Sequence, residues 1–253
     1  MSHTLLDGIT YLRTSVLDDT GGTGIDWPSI TEADDENHQL RWSNEEITIF
    51  INEAWKQVAR RLLCYRSADL FSTAVKIGTN KYSIDPKILK IISIESLKQQ
   101  EKIQERDFLE IIAIRDWRDN TGYIKAWCPE YDSQEILVYP KPIQDDTLYM
   151  AVYHLPPIDL TWTNPSQKIT VRDEWFLGML NYAAGLAYLK DEANSLDEGR
   201  SKMFMDKFMT EFSDTSAYAE SRKHKTAHRQ IKYGGIEPSL PWLQRPRQGG
   251  KWY

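Results

Sequence analysis

Arg41-Trp42-Ser43-Asn44-Glu45-Glu46-Ile47 reads as the start of a helix, and the remaining segments are placed around it. Ser43 stands as an N-cap with Glu46 three residues later, the spacing of a capping box. The serine hydroxyl can accept from the Glu46 N–H, and the glutamate can reach back to the N–H of Ser43. Trp42 before the cap and Ile47 one turn in have the spacing of a hydrophobic staple. Ile47, Phe50, Ile51, Ala54, Val58 and Leu62 then recur at three- and four-residue steps, one stripe of a helix. Asn52, Glu53, Lys56, Arg60 and Arg61 take the other side. The pattern predicts a helix over about 44–65, roughly 30 Å long at ~1.5 Å per residue. Cys64 falls inside it as a small core residue.

Upstream, Leu5, Ile9, Leu12 and Val16 mark one face of a helix over about 4–17. It stops at the breakers of Asp18-Asp19-Thr20-Gly21-Gly22-Thr23-Gly24. A phosphate loop would need a strand before these glycines, and a helix stands there instead. Glu32, Asp34, Asp35 and Glu36 make the same loop acidic, as a solvated loop would be. A loop from Asp18 to Leu40 is long for a compact domain.

Downstream the period changes. Ala74–Ile77 and Lys81–Ile84 flank Gly78-Thr79-Asn80 as in a hairpin. Strands are expected at 91–97, 123–127, 135–139 and 148–154, with a short helix at 106–114. Pro140, Pro142 and Pro156-Pro157 close strands. The helical period returns over 171–190, with Trp175, Met179, Tyr182, Ala183, Leu186 and Leu189 on one face. Gly178, Ala183, Ala184, Gly185 and Ala187 leave room for a close neighbour. Ser195 and Glu198 suggest a second capping box. The helix after it, about 196–219, carries Phe204, Phe208 and Phe212 at four-residue steps. The expected fold class is α+β: a helical bundle of two N-terminal and two C-terminal helices, and a small, mostly antiparallel β insert at about 73–157. Residues 1–219 form this body.

Residues 220–253 form an extended arm. It contains Arg222, Lys223, Lys225, Arg229, Lys232, Arg245, Arg247 and Lys251 against Glu220 and Glu237, a net +6 within a chain of net charge −6. The rest therefore carries −12, and an acidic body with a basic arm suggests docking elsewhere. Tyr233, Trp242, Leu243, Trp252 and Tyr253 separate the arm from a purely solvating tail, which would lack aromatics.

The 253 residues are 41% hydrophobic and 27% charged, an ordinary globular balance. Two distant cysteines, Cys64 and Cys128, suggest neither a disulfide framework nor a metal knuckle. The start lacks a signal-peptide pattern and no window has the length of a membrane span, so a soluble protein made in a reducing compartment is expected. No Gly-x-Ser-x-Gly elbow is present. His224 and His228 share a helical spacing but sit among cations, which disfavours a metal. Asp145-Asp146 reads as a turn, and His154 and His38 read as surface or satisfied core groups. No cofactor and no catalytic residue is expected.

The ordered set of signals resembles the head-to-tail adaptor (connector) proteins of tailed bacteriophages, mainly the short-tailed type. The matching pieces are Leu12-Arg13 to Asp18; Arg41-Trp42-Ser43 with Ile51-Asn52-Glu53-Ala54; the Gly78 turn with Asp85-Pro86; Val138-Tyr139-Pro140-Lys141-Pro142; Tyr153 with Leu155-Pro156-Pro157; and Asn181-Tyr182-Ala183-Ala184 to Lys190-Asp191-Glu192. They span about 5–212. The resemblance implies a non-enzymatic virion protein at the head–tail neck, made in the host cytoplasm. It implies a ring of twelve copies between the portal and a tail nozzle or tube protein. Genomic DNA would pass through its channel without sequence-specific binding. The arm would dock on the portal through Arg222, Lys223, Lys225, Arg229, Lys232, Tyr233, Trp242, Leu243, Trp252 and Tyr253. The long 18–40 loop and the basic aromatic arm depart from the family pattern. Two alternatives remain open: a nucleic-acid binding or processing protein that uses the tail, and another neck component such as a stopper.

Overall fold

The computed structural model describes residues 3–19, 40–132, 134–190 and 197–213. The chain begins with strand β1 (His3–Thr4) and helix α1 (Leu5–Tyr11), which continues as a π-helical segment, Leu12–Leu17. Thr4 and Asp7 cap α1 reciprocally. The wider π turn ends at Asp18, which adopts a left-handed conformation. Helix α2 (Asn44–Leu62) starts with the expected box: Glu46 N–H donates to Ser43 Oγ at 3.1 Å, and Ser43 N–H to Glu46 Oε2 at 2.9 Å. It stops at Leu63, a left-handed C-cap, three residues short of the expected end. Cys64 therefore lies outside the helix and is exposed, contrary to the sequence reading.

Strands β2 (Arg66–Val75), β3 (Lys81–Ser83), β4 (Ile88–Ser96) and β5 (Glu101–Glu105) follow, then helix α3 (Phe108–Ile112). Next come β6 (Thr121–Gly122), β7 (Ala126–Asp132), β8 (Glu135–Tyr139), β9 (Lys141–Pro142) and β10 (Asp146–His154). The strand expected at 123–127 is displaced, and β7 runs later, to Asp132. The β region opens at Arg66 rather than near residue 73. Strand β11 (Lys168–Ile169), helix α4 (Asp173–Ala187) and helix α5 (Glu198–Glu211) complete the described chain.

The large sheet has the order β2-β10-β4-β5-β7-β8-β3. All neighbours are antiparallel except β5 and β7. A parallel pair needs a crossover, and α3 supplies it. Ile111 of α3 lies over Cys128, Leu137 and Tyr139 on the sheet's outer face.

The expected hairpin between β2 and β3 does not form. The turn is real: Gly78 has φ +75° and Thr79 N–H donates to the Lys76 carbonyl at 3.2 Å. Yet β2 pairs with β10 and β3 with β8, so the two strands are opposite edges of the sheet. Their short link spans at most about 20 Å when extended. The sheet must therefore curl until its edges approach. Tyr82 on β3 bridges the gap: its hydroxyl accepts from the N–H of Lys76, the residue just past β2, at 3.3 Å and donates to the Thr79 carbonyl at 2.5 Å. Phe71, Val75, Tyr82, Ile94, Trp127, Ile136, Leu148 and Val152 fill the curled interior.

The helices build a separate core. Leu5, Ile9 and Leu12 of the first helical segment meet Ile47, Ile51, Ala54 and Val58 of α2 and Phe176, Met179, Leu180 and Ala183 of α4. The buried stripe of α4 is rotated from the expected one: Phe176 and Leu180 point inward, while Trp175 and Tyr182 are half-buried and Leu189 is exposed. The small residues of α4 do admit a close neighbour. A Cβ on Gly185 would lie 2.9 Å from Met205 of α5, and Ser201 Oγ donates to the Gly185 carbonyl at 2.8 Å. Helix α5 is capped by Asp197, which accepts from Arg200 N–H at 2.9 Å, rather than by Ser195, which lies outside the described residues. Phe208 and Phe212 are buried against this core, their rings 4.9 Å apart.

Phe208→Ala should cost about 3–5 kcal/mol, because it opens a cavity where no solvent reaches. Met209→Ala, on the exposed side of the same helix, should stay within about 0.5 kcal/mol of the parent. Urea unfolding followed by circular dichroism checks both.

Candidate functional site

The ten arm residues from Arg222 to Tyr253 singled out above lie outside the described residues. So do Glu32, Asp34, Asp35, Glu36, His38, His224 and His228. The structure describes both ends of the long loop and, towards the arm, the chain as far as Ser213.

The base of the loop is a buried cluster around Arg13. Its side chain is fully buried, because the π turn swings position 13 towards the core. Arg13 Nη1 donates to Asp19 Oδ2 at 2.7 Å and to the Asp19 carbonyl at 3.2 Å. Nη2 donates to the Trp42 carbonyl at 2.7 Å and to Asn44 Oδ1 at 2.8 Å, and Nε reaches the same Oδ1 at 3.1 Å. Asp19 in turn accepts from Arg41 N–H at 2.9 Å and Trp42 N–H at 3.3 Å. One guanidinium thus joins the chain entering the loop to the chain leaving it. Trp42 Nε1 donates to the Ala187 carbonyl at 3.0 Å, and the Tyr188 hydroxyl donates to the Val16 carbonyl at 2.8 Å. The end of α4 therefore closes the cluster. The sequence reading quoted Arg13 only within a motif. Its central role was hidden because a π turn leaves no mark in a three-to-four periodicity.

Helix α5 ends at Glu211 with Phe212 as its C-cap, short of the expected 219, and the described chain stops at Ser213, before the arm. Just before it, the Phe212 carbonyl accepts from Arg61 Nη1 at 3.4 Å, and the Arg61 guanidinium lies 5.6 Å above the Phe208 ring. An open groove of about 790 Å³ runs beside this point between α4 and α5. Asn181, Lys202, Met203, Asp206, Lys207 and Thr210 line it.

Groups that could have carried chemistry are bound into the fold. His154 is buried, with Nδ1 2.5 Å from the Leu155 carbonyl and its ring 5.3 Å from Phe71. Asp145 accepts from Ile77 N–H at 2.9 Å. Asp146 accepts from the Ser96 hydroxyl and from Lys98 N–H and Thr147 N–H. Burial, then the charges of Asp107 and Glu105, push the Cys128 thiol up, away from the thiolate that nucleophilic chemistry needs. Among the described residues no group of three or more His, Cys, Asp or Glu is placed to hold a metal. Among the same residues no helix is long and apolar enough to cross a membrane.

Arg13→Ala should cost about 3–5 kcal/mol, since it strands the buried Asp19 carboxylate. Arg13→Lys should recover little of this, because an ammonium cannot reproduce the fork that meets Asp19, Trp42 and Asn44 together. Denaturant midpoints of the two variants give the answer.

No curated protein matches this chain. A family model described as SU10 adaptor protein matches residues 5–230. That range takes in both cores, the Arg13 cluster and the start of the arm. Every piece that carried the resemblance to phage head-to-tail adaptors falls inside it. The chain belongs to the SU10 adaptor protein family, the phage structural adaptors that the order of its sequence signals resembles.

Proposed function

We propose that this chain is a ring subunit of a virion neck, twelve copies joining the portal vertex of the head to the tail. The observation that carries the reading is the family match over residues 5–230. In this reading α2 and α4 carry the core of a bundle, solvent faces and the β insert supply the subunit and tail-facing contacts, and the basic aromatic arm docks on the portal. The fold is consistent with an arm that is dispensable for the body, because Phe208 and Phe212 close the helical core before residue 214. Docking would order the arm, and burial of Trp242, Leu243, Trp252 and Tyr253 would offset that ordering.

The body carries −12 once the arm is set aside. Acidic channel walls repel phosphates, so DNA slides, whereas basic walls would hold it by counterion release. The protein has no turnover in this reading. The tail nozzle or tube protein would meet the face opposite the portal.

Deleting Glu220–Tyr253 should leave the unfolding midpoint of the body unchanged and abolish co-sedimentation with portal rings. Co-assembly of the truncated protein with portal would defeat the arm assignment. In a DNA titration, the full chain should bind weakly at physiological salt. Tight binding with a steep salt slope would favour the nucleic-acid alternative.

A further inference from the structure

Strand β2 stands at one end of the sheet order, and among the described residues no strand pairs with its outer side. Which of its backbone groups face that side follows from the pairing. Leu97 N–H donates to the Thr147 carbonyl at 3.0 Å, so Thr147 turns its backbone towards β4. Backbone groups point to alternate sides along an antiparallel strand, so Asp146 and Leu148 turn theirs towards β2. Their partners Val75 and Thr73 face them. Ser72, Ala74 and Lys76 therefore face outwards. Lys76 is already engaged: its N–H donates to the Tyr82 hydroxyl at 3.3 Å, and its carbonyl lies 3.1 Å from the same hydroxyl. At the other end the register shifts between the Phe71 and Ser67 pairings, and Leu70 N–H turns to Ser67 Oγ at 3.0 Å. The open edge is thus a short window, residues 71–75, from which Ser72 and Ala74 point their N–H and C=O away from the sheet. Both side chains are small and exposed. An uncovered edge of this kind is a template for a further strand.

The arm contains a segment that fits. Ahead of Pro238, its first proline, Gln230-Ile231-Lys232-Tyr233 alternates polar and apolar side chains as a strand does, and Gly234-Gly235 ends the pattern. These residues lie outside the described ones. The segment matches the window in length, and no proline removes a donor from it. With Gln230 and Lys232 opposite Ala74 and Ser72, the outward N–H and C=O of both edge residues find partners. Ile231 and Tyr233 then fall on the inner face, beside Thr73 and Phe71, while Gln230 and Lys232 stay in solvent. The segment reaches this edge within one copy. The Phe212 carbonyl accepts from Arg61 Nη1, and β2 begins at Arg66, just past the end of α2. The eleven residues from Arg61 to Ser72 span at most about 40 Å, and the seventeen from Ser213 to Gln230 span up to about 60 Å.

We propose that residues 230–233 of the arm add to the free edge of β2 in the same copy as a short strand. The contact goes beyond the portal reading and needs nothing from the portal. It fixes the first half of the arm on the sheet, and Trp242, Leu243, Trp252 and Tyr253 extend from there. A strand this short comes off locally, at urea concentrations below the midpoint of the body, so that midpoint does not report it.

Amide hydrogen exchange of the purified full-length protein tests the docking. The Ser72 and Ala74 amides should exchange about tenfold more slowly than in Gln230→Pro/Lys232→Pro protein, because the prolines remove both donors of the added strand. Thr73 and Val75, bonded to β10, should exchange alike in the two proteins, which shows the sheet itself to be intact. The protection should hold through an about hundredfold dilution, as a contact within one copy does. Equal exchange of Ser72 and Ala74 in the two proteins overturns the proposal. Protection that fades on dilution overturns it too, because the strand then comes from a second copy. No portal is present in these measurements, so a failure of the arm to dock there is read separately.

Discussion

A single buried guanidinium holds this body in register. Burying Arg13 without partners would cost several kcal/mol, so its site must supply acceptors. Asp19, Trp42 and Asn44 do so, from segments separated by the long loop. The loop can therefore be long without loosening the junction of the first helix with α2, because its closure is maintained at the base. Helix α4 then packs on a surface that Arg13 has shaped, with Trp42 and Tyr188 reaching across to carbonyls on the partner segments.

The pieces that carried the family resemblance are junctions. Leu12-Arg13 and Arg41-Trp42-Ser43 form the two sides of the Arg13 cluster. Asn52 pairs in both directions with the Leu160 backbone at 2.8 Å, fastening the segment after β10 to α2. Around Tyr139-Pro140-Lys141-Pro142, a stretch with a cis Tyr139–Pro140 bond, the carbonyls of Tyr139 and Pro142 accept from Lys125 and Gly78. Each motif is short and common by itself. Together they mark where separate elements must be fastened, and the spacing between fastenings is set by the elements that run between them.

Charge is segregated along the chain. The 220–253 arm is basic and the 20–39 stretch is acidic. Such segregation is unfavourable within one surface and favourable between surfaces that meet. Among the described residues, His154, Asp145 and Asp146 are engaged in backbone contacts. The two-core build suits assembly. The helical core can present one set of faces while the curled sheet projects another.

The start of α2 was legible because its causes are local. Ser43 and Glu46 cap one another within a single turn, and the stripe from Ile47 to Leu62 records which side meets the core. The β8 strand, Glu135–Tyr139, was legible for the same reason: an apolar run stopped by a proline. The cap at Asp197 and the displaced start of β7 were misread where a neighbouring residue offered an equally good local signal. The partner of each strand could not be read. Both β2 and β3 carry strand patterns, and the turn between them suits a hairpin, yet backbone pairing is decided by which edges the whole sheet brings within hydrogen-bonding distance. Arg13 was equally opaque, since a cation on a helix reads as a solvated residue until distant acceptors gather around it. The sequence by itself determined the start of α2, the β8 strand and the charge of each segment, through contacts a few residues apart. Only the tertiary structure decided the curl of the sheet and the burial of Arg13, because both depend on groups that meet solely in the folded chain.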